Sequence, residues 1–475
     1  MLNILQSMYD QASSRVTLNS ETSDEFLYKK GVSQGCNLSP LLFSLFINDL
    51  EKYLLENNSG SIEINSSPLH LLLFADDLVS DLSTGLQKSI QILGDYCSKW
   101  DLRINLEKTK VMEFIFSRRN DPSPLYNLYN QKIEVTKMYR YLGIVIASNG
   151  SLKSATDTLA KQGQKSLFCL LQKALKLQFP NPIVLSHLFD SLVRPVLEYG
   201  CETWGYIKAE EIEKVHRKFI KFALGLPSTA ANLAIYGEIG RTPLDIRRNV
   251  LMVKYWLRLT TDWEISPYLS EAYLDSFKDS PWTTHIKKVL EGAGYAEIWV
   301  NPNIADQHTF IKTLQQRLQD QYTQAWQGEL RNTTGKLRLY KLFKRNLAPE
   351  PYLTLPSYLR IPISKLRTSA HALRIETGRY AMPSPIPGDQ RTCWFCNNSE
   401  IEDEPHFLFS CKQYDELLEC SPLLKYCSSL NCSFPHHSVL DKFLFVWSVN
   451  DNKLRHLLGA FIYKAFKHRS AQLRV

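Results

Sequence analysis

Two adjacent carboxylates interrupt an apolar run, and their type and spacing suit metal-assisted chemistry. Asp76 and Asp77 follow the apolar residues 71–75 and precede the apolar residues 78–79. Because carboxylates are seldom buried without a compensating charge, the pair requires either a bound cation or a turn. Carboxylates displayed in this way bind Mg2+, which keeps open positions for substrate phosphates. The alternative is a solvated hairpin tip, because Asp-Asp is common in turns.

A second group of residues has the spacing of a metal centre. Cys393, Cys396, His406 and Cys411 follow the pattern Cys-x2-Cys-x9-His-x4-Cys. Three thiolates and one imidazole are the soft tetrahedral donor set that Zn2+ prefers. Because all four ligands would come from the protein, no position stays open for water, and the predicted zinc is structural.

A further set of Cys and His residues lies downstream of this motif. Its spacing fits no standard zinc pattern, so buried thiols and a surface histidine pair are the alternative to a second metal site. The set comprises Cys420, Cys427, Cys432, His436 and His437.

The elements around the two carboxylates predict how they are displayed. Residues 69–74 and 78–82 have the composition of short strands, which places Asp76 and Asp77 at the bend of a hairpin. Upstream, residues 31–38 form a glycine-containing loop, and Ser39 and Pro40 then predict a helix start, with Ser39 as the N-cap and a helix that continues to Leu50. Such a loop lets the backbone approach a ligand closely.

The combination of this loop and helix with the sequence Phe-Ala-Asp-Asp resembles the reverse transcriptases of LINE-type (non-LTR) retrotransposons. Two more blocks follow in the order of that family, at residues 102–112 and 139–144. Residues 192–200 and 236–241 also resemble the region that follows the palm in these enzymes. The resemblance implies a polymerase that uses Mg2+ or Mn2+, and a C-terminal Cys-Cys-His-Cys zinc module.

The resemblance also implies roles for individual residues. For Lys108, expected near the leaving pyrophosphate, a surface lysine is the alternative. The implied sets are catalytic residues Asp76, Asp77 and Lys108, of which the two aspartates bind the metal; nucleotide or template contacts Gln34, Gly35, Phe74 and Asn105; and a primer grip at Tyr141, Leu142 and Gly143.

One element that the resemblance implies is absent from the expected place. In the family a first catalytic Asp precedes the glycine loop by several tens of residues, whereas only 30 residues precede Gly31. The acids in that stretch, Asp10, Glu21, Asp24 and Glu25, do not lie in an apolar strand. We therefore expect an element truncated at its 5′ end, inactive as a polymerase alone, with the missing N-terminal half as a possible partner.

The positive charge of the chain is concentrated in one segment. Residues 331–391 hold twelve Lys and Arg against three acids, whereas the net charge of the whole chain is +8. Cations at helical spacing on one face predict contact with nucleic acid phosphates, and a solvated amphipathic helix is the alternative. The predicted phosphate contacts are Lys341, Lys344, Arg345, Arg367 and Arg374.

Composition and periodicity predict an α+β protein of several domains. With 475 residues and 44% hydrophobic content, the chain can bury substantial cores. Residues 156–178, 184–199 and 210–224 have helical periodicity. The expected organisation is a partial palm with a small antiparallel sheet at 1–148, a helical thumb or connection at 149–300, a basic nucleic-acid-binding region at 301–390 and a zinc-binding module at 391–475.

Two classes of function are compatible with this sequence. The first is a reverse transcriptase fragment that acts on an RNA template and a DNA primer or target. The second is a non-enzymatic nucleic-acid-binding protein in which the palm is vestigial. The N-terminus lacks a signal segment and no apolar run approaches 18 residues, so the expected location is the nucleus or the cytoplasm, outside membranes and secretion.

Overall fold

The chain folds into two compact units, Met1–Lys137 and Met138–Val475. The computed structural model describes every residue except 1, 11, 28–29, 34, 65–66, 70, 75, 80–84, 115–123, 179, 262–266, 275–278, 397–398 and 474–475.

The first unit contains short helices and small two- or three-stranded sheets. Its helices are α1 Leu2–Asp10, α2 Ser39–Phe46, α3 Leu50–Glu56 and α4 Leu86–Lys99. Its antiparallel strand pairs are β1 Ser13–Ser14 with β4 Phe26–Leu27, β2 Thr17–Leu18 with β3 Glu21–Thr22, β5 Ile62–Ile64 with β6 Ser67–Leu69, and β7 Leu72–Phe74 with β8 Asp77–Val79. A three-stranded sheet places β11 Gln131–Val135 between antiparallel β10 Tyr126–Leu128 and parallel β9 Lys110–Val111.

A small core joins two parts of the first unit that carry predicted functional residues. It is formed by buried residues of α3 and α4, Leu50, Leu54, Ile92, Tyr96 and Cys97. Leu71 and Leu78 of the β7–β8 hairpin pack against it, as do Leu102 and Ile104 of the segment that leads to Lys108. The hairpin and this segment are therefore fixed against the same helices.

The helix after the glycine loop differs from its prediction in two respects. Ser39 is the first helical residue rather than the N-cap, and its hydroxyl donates to the carbonyl of Ser33 at 2.6 Å. The helix also ends at Phe46, and α3 begins only at Leu50. The hydroxyl of Ser39 therefore closes the loop instead of capping the helix.

The second unit begins with the hairpin of β12 Met138–Tyr141 and β13 Ile144–Ala147, and all its longer elements are helices. The helices up to residue 261 are α5 Lys153–Lys176, α6 Pro182–Leu192, α7 Arg194–Leu197, α8 Cys201–Trp204, α9 Glu210–Ala223, α10 Asn232–Ile239 and α11 Leu244–Thr261. The helices after residue 266 are α12 Pro267–Ala272, α13 Pro281–Gly292, α14 Ala296–Val300, α15 Gln307–Arg331, α16 Tyr340–Phe343, α17 Ser357–Arg367, α18 Arg374–Thr377, α19 Glu404–Phe409, α20 Asp415–Glu419, α21 Leu423–Leu430, α22 Val439–Ser448 and α23 Asn452–Gln472.

Local chemistry explains where several of these helices begin and end. The side chain of Asn181 accepts a hydrogen bond from the backbone N–H of Ile183 and caps α6, with Pro182 at the first position. The helix predicted to run to residue 199 stops at Leu192, and a separate short helix begins at Arg194. The interruption arises because Pro195, in the first turn of that short helix, has no N–H to donate to a continuing helix.

One continuous core runs through most of the second unit. It extends from Leu159 of α5 through Phe219 of α9 and Ile363 of α17 to Cys393 and Ala465. The regions expected at 149–300, 301–390 and 391–475 therefore share buried contacts. In the part of the chain that the structure describes, no helix is long and apolar enough to cross a membrane.

Candidate functional site

The hairpin of β7 and β8 displays the two adjacent carboxylates at its tip. Phe74 pairs with Asp77, and Leu72 pairs with Val79, so Asp76 lies in the turn and Asp77 begins the returning strand. Both aspartates are exposed. The predicted hairpin geometry is confirmed, and both side chains are accessible to a cation or a substrate from solvent.

The donor set at this tip is incomplete for a pair of catalytic metal ions. Two-metal nucleotidyl transfer holds ions about 4 Å apart, which requires more oxygen ligands than two neighbouring carboxylates supply. Among the described residues, no third His, Cys, Asp or Glu joins Asp76 and Asp77 in a metal-binding cluster. The hairpin can therefore contribute ligands to a magnesium site but does not form one within the described residues.

The strands that carry these carboxylates have exposed apolar side chains. Leu72 is 50% exposed and Phe74 is 63% exposed. Apolar residues of this size in a sheet normally pack against another element. The exposed strand face therefore offers a surface on which a further segment can pack.

The structure describes most of the other residues that are predicted to lie near the nucleotide. Gln34 lies outside the described residues, and Gly35 has a φ of +89°, a conformation that favours glycine. The side-chain oxygen of Asn105 accepts hydrogen bonds from the backbone N–H groups of Glu107 and Lys108. Lys108 is exposed, so its ammonium can reach a phosphate.

The predicted primer grip is a tight turn in the hairpin of β12 and β13. Leu142 and Gly143 both have positive φ, +44° and +87°, as a two-residue hairpin turn requires. Tyr199 donates a hydrogen bond to the carbonyl of Leu142 at 2.9 Å and packs against Gly143, where an added Cβ would lie 3.0 Å from its ring. The support that Tyr199 gives to this turn was not evident from the sequence, although residues 192–200 carry part of the family resemblance.

The four predicted zinc ligands lie together in the second unit. One potential ligand atom from each of Cys393, Cys396, His406 and Cys411 lies within 4.8 Å of the others, and all four residues are buried. The sulfurs of Cys393 and Cys411 are 3.8 Å apart, and Nε2 of His406 is 3.4 Å from the sulfur of Cys396. Hydrogen bonds with Cys411 and His406 lower the pKa of the Cys393 thiol to about 3.

These distances fit a tetrahedral zinc ion. Zn–S bonds of about 2.3 Å at tetrahedral angles put two sulfurs roughly 3.8 Å apart, and a Zn–N bond of about 2.0 Å gives a sulfur–nitrogen separation of roughly 3.5 Å. The four side chains can therefore hold one zinc ion with little rearrangement. A zinc ion bound in this way would cross-link the Cys393–Cys396 loop to α19 and its following turn. In the described part of the chain, the second set of Cys and His residues forms no comparable cluster.

Comparison with known proteins places the N-terminal region in a family. A family model described as "Reverse transcriptase (RNA-dependent DNA polymerase)" matches residues 2–146. Residues 2–146 belong to the reverse transcriptase family. This match includes the carboxylate hairpin, Lys108 and the predicted primer grip.

Several polymerases of non-LTR retrotransposons are similar to this chain. "Probable RNA-directed DNA polymerase from transposon X-element" of Drosophila melanogaster is 24% identical over 50% of this chain and 26% of its own length. The RNA-directed DNA polymerase from mobile element jockey of the same species is 21% identical over 45% of this chain and 23% of its own length. A Pol polyprotein from the type-1 retrotransposable element R2 of Popillia japonica is 23% identical over 42% of this chain and 34% of its own length. The chain spans about a quarter of the first two relatives.

The basic segment at residues 331–391 has a different arrangement from the expected helical face. Around the predicted cations Lys341, Lys344 and Arg345, only Tyr340–Phe343 is helical. Lys344 and Arg367 are buried: Lys344 pairs with Glu350, and Arg367 pairs with Glu238 and Glu350. Neither can reach a phosphate in this structure, so the expectation of phosphate contact does not hold for these two residues.

The remaining predicted phosphate contacts differ in their surroundings. Lys341 donates to the backbone carbonyls of Arg331 and Thr333, at 3.2 and 2.6 Å. Arg345 is exposed, and the guanidinium of Arg374 lies 4.1 Å from the ring centroid of Trp394, which is 63% exposed. Arg345 and Arg374 are therefore the predicted cations that remain best placed for a phosphate.

Glu400 contacts the predicted zinc ligand His406 and was not identified from the sequence. Its carboxylate lies 2.7 Å from Nδ1 of His406 and accepts a hydrogen bond from the hydroxyl of Ser410 at 2.8 Å. Both hydrogen bonds lower the pKa of the Glu400 carboxyl. A carboxylate at Nδ1 leaves Nε2, which faces Cys396, free to bind metal. An acid near the ligand histidine is the sequence signal that could have suggested it.

Replacing Glu400 with Ala is expected to weaken zinc binding about 10- to 100-fold, because the ring of His406 loses the partner that fixes its orientation. Competition with a chromophoric chelator measures this affinity. Glu419→Ala, at an exposed acid of α20, is the matched control and should leave the affinity unchanged. Equal affinities for wild type and Glu400→Ala would show that Glu400 does not support the metal site.

Proposed function

We propose that this chain is part of a non-LTR retrotransposon reverse transcriptase, which copies an RNA template from a DNA primer. The observation that carries the proposal is the β7–β8 hairpin, which displays Asp76 and Asp77 side by side within the region that matches the family. In this proposal the two carboxylates bind Mg2+ or Mn2+, which would supply Lewis-acid stabilisation of the reacting phosphate. Lys108 neutralises the leaving pyrophosphate, and the Tyr141–Gly143 turn holds the primer end.

The active form of this polymerase requires another polypeptide segment. The described residues place only two carboxylates at the hairpin tip, and the apolar side chains of Leu72 and Phe74 are exposed beside them. The relatives are about four times as long as the portion matched here, so they contain sequence that can supply such a segment. We infer that this segment packs on the exposed strand face and adds the third carboxylate.

Zinc and the remaining cations complete the proposed function. A zinc ion on Cys393, Cys396, His406 and Cys411 would stabilise the C-terminal module, whose exposed Trp394 can contact nucleic acid together with the neighbouring Arg374. Arg345 provides a further exposed charge. The proposed location is the nucleus or the cytoplasm, where RNA and chromosomal DNA are available.

The isolated chain is expected to make no primer-extension product on an RNA template with Mg2+, because two carboxylates of one hairpin cannot clamp two metal ions. Gel analysis of a labelled primer measures the product, with Asp76→Ala as the matched control. Product from the wild-type chain that Asp76→Ala abolishes would show that the site is complete without another segment.

A non-enzymatic nucleic-acid-binding protein is the second candidate function. The observation that favours it is the continuous core of the second unit, which includes the predicted zinc ligands Cys393, Cys396 and Cys411. A protein of this class would bind RNA or DNA equally well with Asp76→Ala. It would gain no polymerase activity from an added upstream segment, which separates it from the first proposal.

A further inference from the structure

One cleft of the second unit is lined by none of the predicted zinc ligands and by none of the predicted primer-grip residues. Its volume is about 890 Å3, within the range of ligand sites. One wall is α11, which contributes Leu251, Lys254, Tyr255 and Arg258, and the other wall is the segment 303–307 before and at the start of α15. Gln307 donates to the hydroxyl of Thr261 at 3.0 Å and joins the two walls.

Two cations that line this cleft are not paired with a described carboxylate. Lys254 and Arg258 are one helical turn apart, and both are exposed. Among the described residues neither forms an ion pair. Lys344 and Arg367, in contrast, are buried against carboxylates. The two cleft cations are therefore available to an anion from outside.

The other side chains that line the cleft suit a ligand with a flat ring. Tyr255 lies between Lys254 and Arg258 in sequence, and its ring is held edge-on to Trp282 with centroids 6.2 Å apart. Burial raises the pKa of the Tyr255 phenol, so it stays a neutral donor at ordinary pH. Leu251 and Ile304 add apolar surface, and the amide of the exposed Asn303 adds hydrogen-bonding groups.

The one acid in the lining limits what can bind. Glu202 of α8 lines the cleft and, with Arg258, acts electrostatically on the Tyr255 phenol. With two cations against one carboxylate, the lining residues carry a net charge of +1. This balance suits a ligand that presents phosphate to one part of the cleft and an uncharged ring to another. It disfavours a ligand that is anionic along its whole length.

We propose that this cleft binds a single strand of nucleic acid, with phosphodiester groups at Lys254 and Arg258 and a base against Tyr255 and Ile304. Cationic side chains that follow a backbone, combined with a fixed aromatic ring, are the features that bind single strands without sequence preference. A duplex would present its bases only as edges in a groove, whereas this cleft offers an aromatic ring and apolar surface to an unstacked base. The inference rests on the proposed action of this chain on nucleic acid.

The test uses the full chain and labelled ten-nucleotide single-stranded RNA and DNA in fluorescence anisotropy. Lys254→Ala/Arg258→Ala is expected to raise the Kd at least about tenfold at about 50 mM salt, and to reduce the slope of log K against log salt by about 1.4. Both side chains are exposed, so thermal unfolding should match wild type. Lys464→Ala/Lys467→Ala, on an exposed face of α23, removes the same charge elsewhere and should change the Kd much less.

Three outcomes would overturn the cleft assignment. Equal weakening by the two double variants would locate binding outside the cleft while leaving the proposed function intact. Displacement of the oligonucleotide by an equal concentration of adenosine 5′-monophosphate would make the cleft a mononucleotide site. Absence of oligonucleotide binding by the wild-type chain would remove both the cleft and the proposed function.

Discussion

The wild-type chain is expected to contain one zinc ion, and removal of that ion should unfold the C-terminal module at residues 391–475. Zinc-finger peptides gain about 10–16 kcal/mol from metal binding, and in such modules that free energy is folding free energy. Without the ion, the Cys393, Cys396 and Cys411 thiols and the His406 imidazole lose their common partner in a buried site. Metal analysis by mass spectrometry gives the stoichiometry, and hydrogen exchange shows which residues lose protection.

The zinc prediction has a matched pair of variants. Cys411→Ser should abolish the bound zinc and the protection of residues around 393–411, because it removes a buried ligand. Cys420→Ser/Cys432→Ser changes two exposed cysteines of the second set and should retain one zinc ion. Two zinc ions in the wild-type chain, or a chelated chain whose exchange and melting match the zinc form, would contradict this account.

Replacing Arg367 with Met is expected to destabilise the second unit by about 3–5 kcal/mol, because it leaves a carboxylate buried without its cation. The guanidinium donates to both oxygens of Glu238, at 2.9 and 3.0 Å, and lies 2.8 Å from Glu350. Glu238 is fully buried, so water cannot replace the lost hydrogen bonds. Denaturant unfolding followed by tryptophan fluorescence measures the loss.

Two further variants separate lost charge balance from lost packing. Glu238→Gln/Arg367→Met removes both charges and should recover most of the stability, since Lys344 still balances Glu350. Arg345→Met changes an exposed cation of the same basic segment and should alter stability by less than about 0.5 kcal/mol. If Arg367→Met were as stable as Arg345→Met, the buried network would not stabilise the fold.

Local sequence patterns predicted the parts of this structure that depend on neighbouring residues. The strand-turn-strand pattern around Asp76 and Asp77 formed the expected hairpin, and the ligand spacing at 393–411 formed a compact donor cluster. Helical periodicity located α5 and α9 to within a few residues at each end. In each case the hydrogen bonds or ligand geometry are set by residues close in sequence.

The basic segment shows what could not be predicted from local pattern. Its cations have the spacing of a solvent-facing helix, but the partners of Arg367 and Arg338 include Glu238, Asp403 and Glu404, between 65 and 129 residues away. Only tertiary packing brings these acids to the cations. Local pattern likewise indicated only two carboxylates of the proposed metal site, so the sequence indicated a family resemblance without a complete site.

Primer extension by this chain joined to the upstream palm segment of a non-LTR relative tests whether the hairpin of Asp76 and Asp77 is half of a polymerase site. With Mg2+ and an RNA template, we predict that the joined wild-type protein extends a DNA primer, because the added carboxylate completes the metal ligands of Asp76 and Asp77. The same protein with Asp76→Asn/Asp77→Asn should make no product. Equal extension with and without these substitutions, or no extension by the joined wild-type protein, would contradict the assignment of the hairpin as half of a polymerase site.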